Sequence, residues 1–440
     1  MLTYPVRTVD KAYQACNPEE PLEPGDPRYV ELSHVRGKED VAARIARRVS
    51  RTLSGYHKQL VTGHRGCGKS TELKKLQANL EEMGFLAVYF DAEGTLDTAD
   101  VDYLDILVNI ARAVEEAARQ NGFRLNRKLV KALDDWFAER VLTEEQRHDV
   151  KRTLEVEFGV GAQVPLLARM LSAVTGQIAS GSSRKVEIRQ VLERELKLFI
   201  QYLNDLLNDI SVRATRKGKK GLVVIVDGLE KIQYRLFPDG QSSHSALFIQ
   251  HADQLKAPDC HLIYTVPISL LFNANLGDAF PADPEVIPMV KITQPDEART
   301  PYQEGRDALY KILASRVSIE DVFESPDSAW KLVEASGGSV RDLLRMMRFA
   351  CDEAEKRIAP AHVEAAIRRL GREYDYLIRD EDVETLLEVA RQCRAPNNDR
   401  AGRLLYLRLV MEYIDDEHGR WADVHPLVKD SPRLRGLERR

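Results

Sequence analysis

Cysteine is scarce here: five in 440 residues (Cys16, Cys67, Cys260, Cys351 and Cys393), an odd number with no C-x-x-C pair. That pattern sets aside a disulfide framework and a zinc finger and points to a reducing, cytoplasmic compartment. No apolar run approaches the roughly 18–20 residues that a membrane helix needs. The opening residues, MLTYPVRTVD, lack the apolar stretch of a secretion signal. A basic excess is missing too: 64 Lys and Arg against 69 Asp and Glu leave a formal charge of −5, so the chain as a whole does not advertise nucleic-acid binding. There is no internal repeat, and His425 has no nearby His or Cys with which to form a metal site. What remains is 43% hydrophobic and 30% charged, the composition of a globular protein long enough for two or three domains.

Strand and helix patterns alternate through the first 300 residues and give way to helix alone. Residues 1–34 are polar and proline-rich and read as an irregular arm or a segment laid along a domain surface. Residues 38–51 carry Val41, Ile45 and Val49 at spacing four, an amphipathic helix. Short apolar runs predict strands at 58–62, 85–90, 222–226, 262–266 and 286–292; helical periodicity covers 69–83, 101–120 and 186–212. Between them, about 122–185 reads as a helical insertion broken at Gly159, Gly161 and the GSS stretch 181–183. The expected class is α/β: a parallel sheet with helices on both faces over 35–298. A helical unit at 299–372 follows, and then a segment at 373–440 that ends in helices and a hairpin.

One motif carries the chemistry. Gly63-His64-Arg65-Gly66-Cys67-Gly68-Lys69-Ser70-Thr71 matches G-x-x-x-x-G-K-[ST], with a strand before it and a helix after it. Its glycines let successive backbone N–H groups surround phosphate oxygens, and the helix N-terminus adds positive charge. Lys69 is placed for the β- and γ-phosphates and Ser70 for Mg²⁺. Cys67 within the loop is either a redox-sensitive thiol or a small side chain. The run Leu222–Val226 ends in Asp227, the carboxylate expected to hold Mg²⁺ through water. Three residues on, Glu230 is either the activator of the attacking water or an acid complementing a helix start. Thr265, with Ser269 behind it, is either a γ-phosphate contact at the next strand tip or a residue chosen for strand propensity. In Gly337-Gly338-Ser339-Val340-Arg341-Asp342, Ser339 and Asp342 resemble a capping box. Arg341 then lies in a helix first turn, where a cation opposes the dipole, so its counter-charge is either a bound phosphate or a surface acid. The basic run Arg213, Arg216, Lys217, Lys219 and Lys220 is either a nucleic-acid contact or a solvated turn. The apolar stretch VPLLARMLSAV of the insertion is either core or a partner surface.

Together these pieces resemble the AAA+ and STAND branch of P-loop ATPases. GHRGCGKST at 63–71 looks like their Walker A motif, and LVVIVDGLEK at 222–231 looks like Walker B, close to the D-G-x-D/E form of NACHT-type proteins. VRGKEDV at 35–41 is similar to the box that precedes the first strand and seats adenine, which would place Val35 and Arg36 at the base. The helices of 303–371 resemble the lid of origin-recognition-type initiator ATPases, whose sensor 2 arginine matches Arg341. The segment after about 375 resembles a winged helix. The resemblance implies ATP and Mg²⁺ as cofactors, slow hydrolysis (Gly228 stands where most AAA+ proteins have Glu), and homo-oligomers that meet at the nucleotide. It implies a conformational or oligomerisation switch acting on a partner protein, as in bacterial signalling or antiviral defence. The alternatives are a DNA-binding ATPase of the initiator or transposition-regulator kind, and a nucleotide-binding scaffold with little turnover.

Overall fold

The computed structural model describes residues 2–37, 40–140, 166–179, 183–238, 241–273, 276–415 and 417–435. Five parallel strands form the central sheet: β1 Lys58–Thr62, β2 Leu86–Asp91, β3 Leu222–Asp227, β4 His261–Thr265 and β5 Glu285–Val286, in the order β2-β3-β4-β1-β5. From β1 the chain crosses to the far edge at β2, returns through β3 and β4, and then passes to the other side of β1 for β5. The winding direction therefore reverses beside β1, where open α/β sheets hold ligands at their carboxyl ends. Strand alternation divides the sheet's side chains between two cores. Leu86, Val88 and Phe90 join Leu222, Val224 and Val226 on one face, under α4 Tyr103–Gln120; Ala87, Val223, Ile225 and Ile263 join the other, under α2 Val41–Arg51 and α3 Lys69–Glu82.

Helix starts follow local chemistry. Asp40 caps α2 by accepting from Ala43 N–H at 2.9 Å, so the helix opens at Val41 and not at 38; Lys38 and Glu39 lie outside the described residues. Asp102 and Asp105 form a reciprocal capping box at α4. The insertion contributes α5 Arg127–Arg140 and α6 Leu166–Ala179, whose Leu171, Val174 and Ile178 complete the core against α4. Of the stretch VPLLARMLSAV, Ala168, Leu171 and Val174 are thus core. The expected breaks at Gly159, Gly161 and 181–182 lie outside the described residues.

Two expected elements come out differently. The helix foreseen over 186–212 is two: α7 Ser183–Arg194 and α8 Leu196–Arg216. Glu195 breaks it, with ψ at 25°, and its carboxylate accepts from Trp136 and Arg140 of α5. Apolar periodicity continues across the break, so the pattern alone hides it. The strand foreseen over 286–292 pairs with β1 only at Glu285 and Val286. Beyond it Met289, Val290 and Lys291 donate their N–H groups to Glu412, Gly338 and Val35, because their apolar neighbours are wanted by other layers. The basic run 213–221 seals a turn: Arg213 pairs with Asp209 at 2.9 Å, and Lys217 donates to Asn121 O.

After the sheet come α9 Gln303–Ala314, α10 Asp327–Ala335, α11 Val340–Glu353 and α12 Pro360–Leu377, then α13 Val383–Gln392, α14 Asp399–Tyr406 and an antiparallel hairpin, β6 Val410–Asp415 and β7 Gly419–Val424. Of the two readings of the N-terminal arm, residues 2–34 follow the second and lie against the helical unit. Val6 bridges Val317, and α1 Val9–Ala15 buries Val9, Ala12 and Ala15 in the core shared by α9, α11 and α12. The same core takes in α13, α14 and parts of the hairpin, and α12 runs unbroken past residue 372. The hairpin also presents Met411, Tyr413 and Trp421 to the core beneath α3. Among the described residues no helix is long and apolar enough to cross a membrane.

Candidate nucleotide site

β1 ends at Thr62 and α3 begins at Lys69, so residues 63–68 form a turn above the carboxyl edge of the sheet. Gly66 has φ +84°, and a Cβ there would sit 2.2 Å from the Cβ of Arg341; only glycine lets α11 approach this closely. Arg341 N–H donates to Gly66 O at 3.2 Å, and Ser339 caps α11 through Asp342 N–H at 3.2 Å. The sequence pair thus makes half of a capping box, since the Asp342 carboxylate turns elsewhere.

Lys69 is buried at the root of α3. Its ammonium donates to Gly63 O and His64 O, each at 2.9 Å, and faces Glu230 Oε1 at 3.2 Å. Burial is the largest influence and works against its charge, but Glu230, Cys67 and Asp227 together outweigh burial and hold the ammonium above its usual range. Glu230 is pulled the opposite way: burial would raise it, yet Lys69, with the Thr265 hydroxyl, keeps its carboxylate below the usual range. Its Oε2 is buried with no hydrogen-bond partner among the described residues. Asp227, at the tip of β3, is fully buried. Its Oδ1 accepts Gly228 N–H and its Oδ2 accepts the Tyr89 hydroxyl, both at 2.7 Å, and Ser70 is also in hydrogen-bonding contact with it. Burial, then Glu230, pushes this carboxyl above its usual range.

The position after Asp227 explains the missing glutamate. Gly228 has φ +82°, and a Cβ there would lie 2.2 Å from Asp91 Oδ1 on the neighbouring strand tip. This backbone admits glycine at 228 and delivers Glu230 instead. Thr265 is equally local in effect: its Oγ1 accepts Leu229 N–H at 3.0 Å and so fixes the turn that carries Glu230.

The cleft above these groups is walled by Gly66–Thr71, Glu230 and Arg341, with Leu22, Tyr29 and Arg316 from the arm and α9 side. The core is a P-loop NTPase fold. None of the known family models matches the chain, and no curated protein matches it. Among solved structures it resembles Cdc6p from Pyrobaculum aerophilum, with 14% identity, 99% of each chain covered and a TM-score of 0.39. It also resembles the Aeropyrum pernix ORC2 protein in its ADP form, with 14% identity, 97% of this chain and 95% of that one covered, and a TM-score of 0.39. The Aeropyrum pernix ORC1 protein in complex with DNA matches at 14% identity over 94% of this chain and 97% of that one, TM-score 0.37.

The remaining expected residues separate. Arg36 lines the cleft, where its guanidinium donates to Cys67 O and faces Glu72 at 3.9 Å. Val35 does not line the cleft; it is buried in the core with α9 and accepts Lys291 N–H. Ser269 is also displaced, bonded to His244 at 3.3 Å, because the chain turns away after β4. Cys67 is fully buried beneath the loop, a small core side chain with no access for an oxidant. Thr71 Oγ1 accepts Leu22 N–H from the arm. Arg341 lies beside the loop, where its guanidinium is taken by the carboxylate of Glu19.

His64 faces another way than expected, and Arg65, which borders the cleft, is tied through its carbonyl to the C-terminal segment. The His64 ring is fully buried between Leu405 O at 3.1 Å and Glu412 N–H at 2.8 Å, so Nδ1 carries the proton and Nε2 accepts. Burial drives its pKa down to about 3, and it stays neutral. Arg408 donates to Arg65 O at 3.3 Å and lies 3.8 Å from Asp342, which also accepts Tyr374 O–H at 2.8 Å and faces His425 at 3.6 Å. Sequence reasoning missed Tyr89, Arg408, Tyr374 and the role of His425. The one local signal was Asp342, an acid in a helix first turn that does not complete its box.

Proposed function

We propose that this chain is an ATP-binding, Mg²⁺-dependent regulatory ATPase whose bound nucleotide sets how α11 and the C-terminal segment sit on the phosphate loop. The observation that carries this is the loop itself. His64, Arg65 and Gly66 are hydrogen-bonded in succession to Leu405 and Glu412, to Arg408, and to Arg341. A phosphate held by the loop's N–H groups reorients the peptide planes whose carbonyls, and the His64 ring, make those bonds, so occupancy and docking are linked.

The residues assume matching roles. A β- or γ-phosphate draws Lys69 from the loop carbonyls and from Glu230, whose unpartnered Oε2 is then free to orient a water. Arg341 exchanges Glu19 for the γ-phosphate. Thr265 acts by fixing Glu230, and Gly63, Gly66, Cys67 and Gly68 supply backbone N–H groups. The Ser70 hydroxyl and the Asp227 carboxylate are hard oxygen donors that suit Mg²⁺, Ser70 directly and Asp227 through water. Bound there, Mg²⁺ neutralises charge on the phosphate oxygens. The chain acts on a partner protein and self-associates at the nucleotide edge. The initiator-like alternative uses the C-terminal helices and hairpin on duplex DNA. Against it stand the contact of α14 with the segment after β4 and the acids Asp415 and Glu417 at the hairpin turn.

The test compares wild type, Lys69→Ala and Glu230→Gln. Nucleotide affinity should vanish in the first; turnover alone should fall in the second, by about 100-fold or more. In Glu230→Gln, ATP·Mg²⁺ should change hydrogen exchange at 405–413 relative to ADP. Unchanged exchange there sinks the switch, and equal turnover restores the scaffold reading. Tight, ATP-dependent duplex binding with a steep salt slope would move the assignment to the DNA-directed alternative.

A further inference from the structure

We infer that Tyr89 is a positioning residue for the metal-bearing carboxylate, a role that rests on the nucleotide-site reading above. Tyr89 lies on β2 opposite Ile225 of β3, two residues below the Asp91–Asp227 pair. Alternation turns its ring to the face covered by α3, the helix that opens with Lys69 and Ser70. From there its hydroxyl reaches across to the next strand and donates to Asp227 Oδ2 at 2.7 Å. The other oxygen is fixed by Gly228 N–H at the same distance.

Two donors on opposite oxygens, with the Ser70 hydroxyl beside them, leave the carboxylate no free rotation and aim its remaining lone pairs at what lies above the strand tip. A carboxylate that holds a hydrated cation through water must present those lone pairs at a set angle, since Mg²⁺ demands near-ideal octahedral geometry. Outer partners of this kind orient metal-binding groups, and their removal lowers metal affinity by about 10–100-fold. Tyr89 does not line the cleft, and among the described residues its hydroxyl donates to Asp227 alone, so the loss of that hydroxyl acts through Asp227. Its ring also lies 5.6 Å from the Lys74 ammonium. Lys74 is therefore the control, a neighbour of the ring with no bond to Asp227.

The experiment measures Mn²⁺ binding to the protein–nucleotide complex by electron paramagnetic resonance, and metal-free nucleotide binding in EDTA. Tyr89→Phe should weaken Mn²⁺ by about tenfold or more and leave metal-free affinity within about twofold; Lys74→Ala should leave Mn²⁺ affinity at wild type. Unchanged Mn²⁺ affinity in Tyr89→Phe overturns the inference. So does an equal loss of metal-free affinity, which would mark a structural role. A single ¹³Cζ-tyrosine placed at 89 in otherwise native protein gives a reading that needs no substitution. Its resonance should move when Mg²⁺ joins the nucleotide complex, and a fixed resonance counts against the role. If wild type itself fails to bind metal with nucleotide, the nucleotide-site reading falls first, and the two failures are told apart.

Discussion

Replacing Asp342 by alanine should undock the C-terminal segment from the phosphate loop. The Asp342 carboxylate is fully buried and holds its charge, with its pKa well below the usual range: burial would raise it, and Arg408, then His425 and Tyr374, more than reverse that. Arg408 has no other acid within ion-pair distance among the described residues, and 15% of its side chain is exposed. Removing Asp342 therefore strands a guanidinium bonded only to the Tyr374 hydroxyl at 3.1 Å and Arg65 O at 3.3 Å. Breaking one half of a buried pair costs ~3–5 kcal/mol, and the partial exposure of Arg408 argues for the lower end, about 3 kcal/mol. That is a large share of a typical stability of ~5–15 kcal/mol. Because the loss is local, it should appear first as faster hydrogen exchange at 340–345 and 405–413. Asp342→Ala, Arg408→Ala and the double variant complete a cycle in urea, followed by Trp421 fluorescence. The two single losses should exceed the double by about 2 kcal/mol, since removing both charges leaves neither member of the pair stranded. Strict additivity, or a loss below about 1 kcal/mol for Asp342→Ala, refutes the reasoning.

Glu19→Gln frees Arg341 and should tighten ATP binding by about two- to fivefold, because a half-exposed pair contributes only ~0.2–1 kcal/mol; weaker binding in a fluorescent-nucleotide titration would count against the Glu19–Arg341 exchange. Gly228→Ala should destabilise by at least ~1–2 kcal/mol from its left-handed backbone, and the added Asp91→Ala should return part of that in thermal denaturation; no return means the Asp91 contact is not the constraint. Glu115, buried on α4, has its carboxyl raised to about 7 by burial, with Arg119 opposing and Glu116 adding. Below the usual carboxylate range both folded and unfolded chains bind the proton. As pH rises from there through 7 the unfolded chain releases it first, so stability is lost across that window. Glu115→Gln should therefore raise the melting temperature at pH 8 and leave it nearly unchanged at pH 4, and an equal shift at both would refute the assignment.

The sequence determined what nearest neighbours determine. Strands such as 222–227 were legible because apolar runs too short for a helix admit one reading, and 63–71 because its glycines, lysine and hydroxyls occupy a fixed local geometry. Asp227 and Glu230 followed from their distance to a strand end. Where side chains were drawn to distant partners, local pattern was silent. The periodicity of 186–212 did not reveal Glu195 bound to Trp136, and the apolar run 286–292 did not say that Met289 and Val290 belong to the hairpin and α11. Nor did spacing show that His64 faces Leu405 and Glu412, or that Asp342 and Arg408 meet across 66 residues of chain (408 minus 342). Buried polar groups must find partners wherever the folded chain supplies them, and at this site those partners come from the far end of the sequence. The chemistry of the phosphate loop is thus written in nine consecutive residues, while its coupling to the rest of the protein exists only once the chain has closed around it.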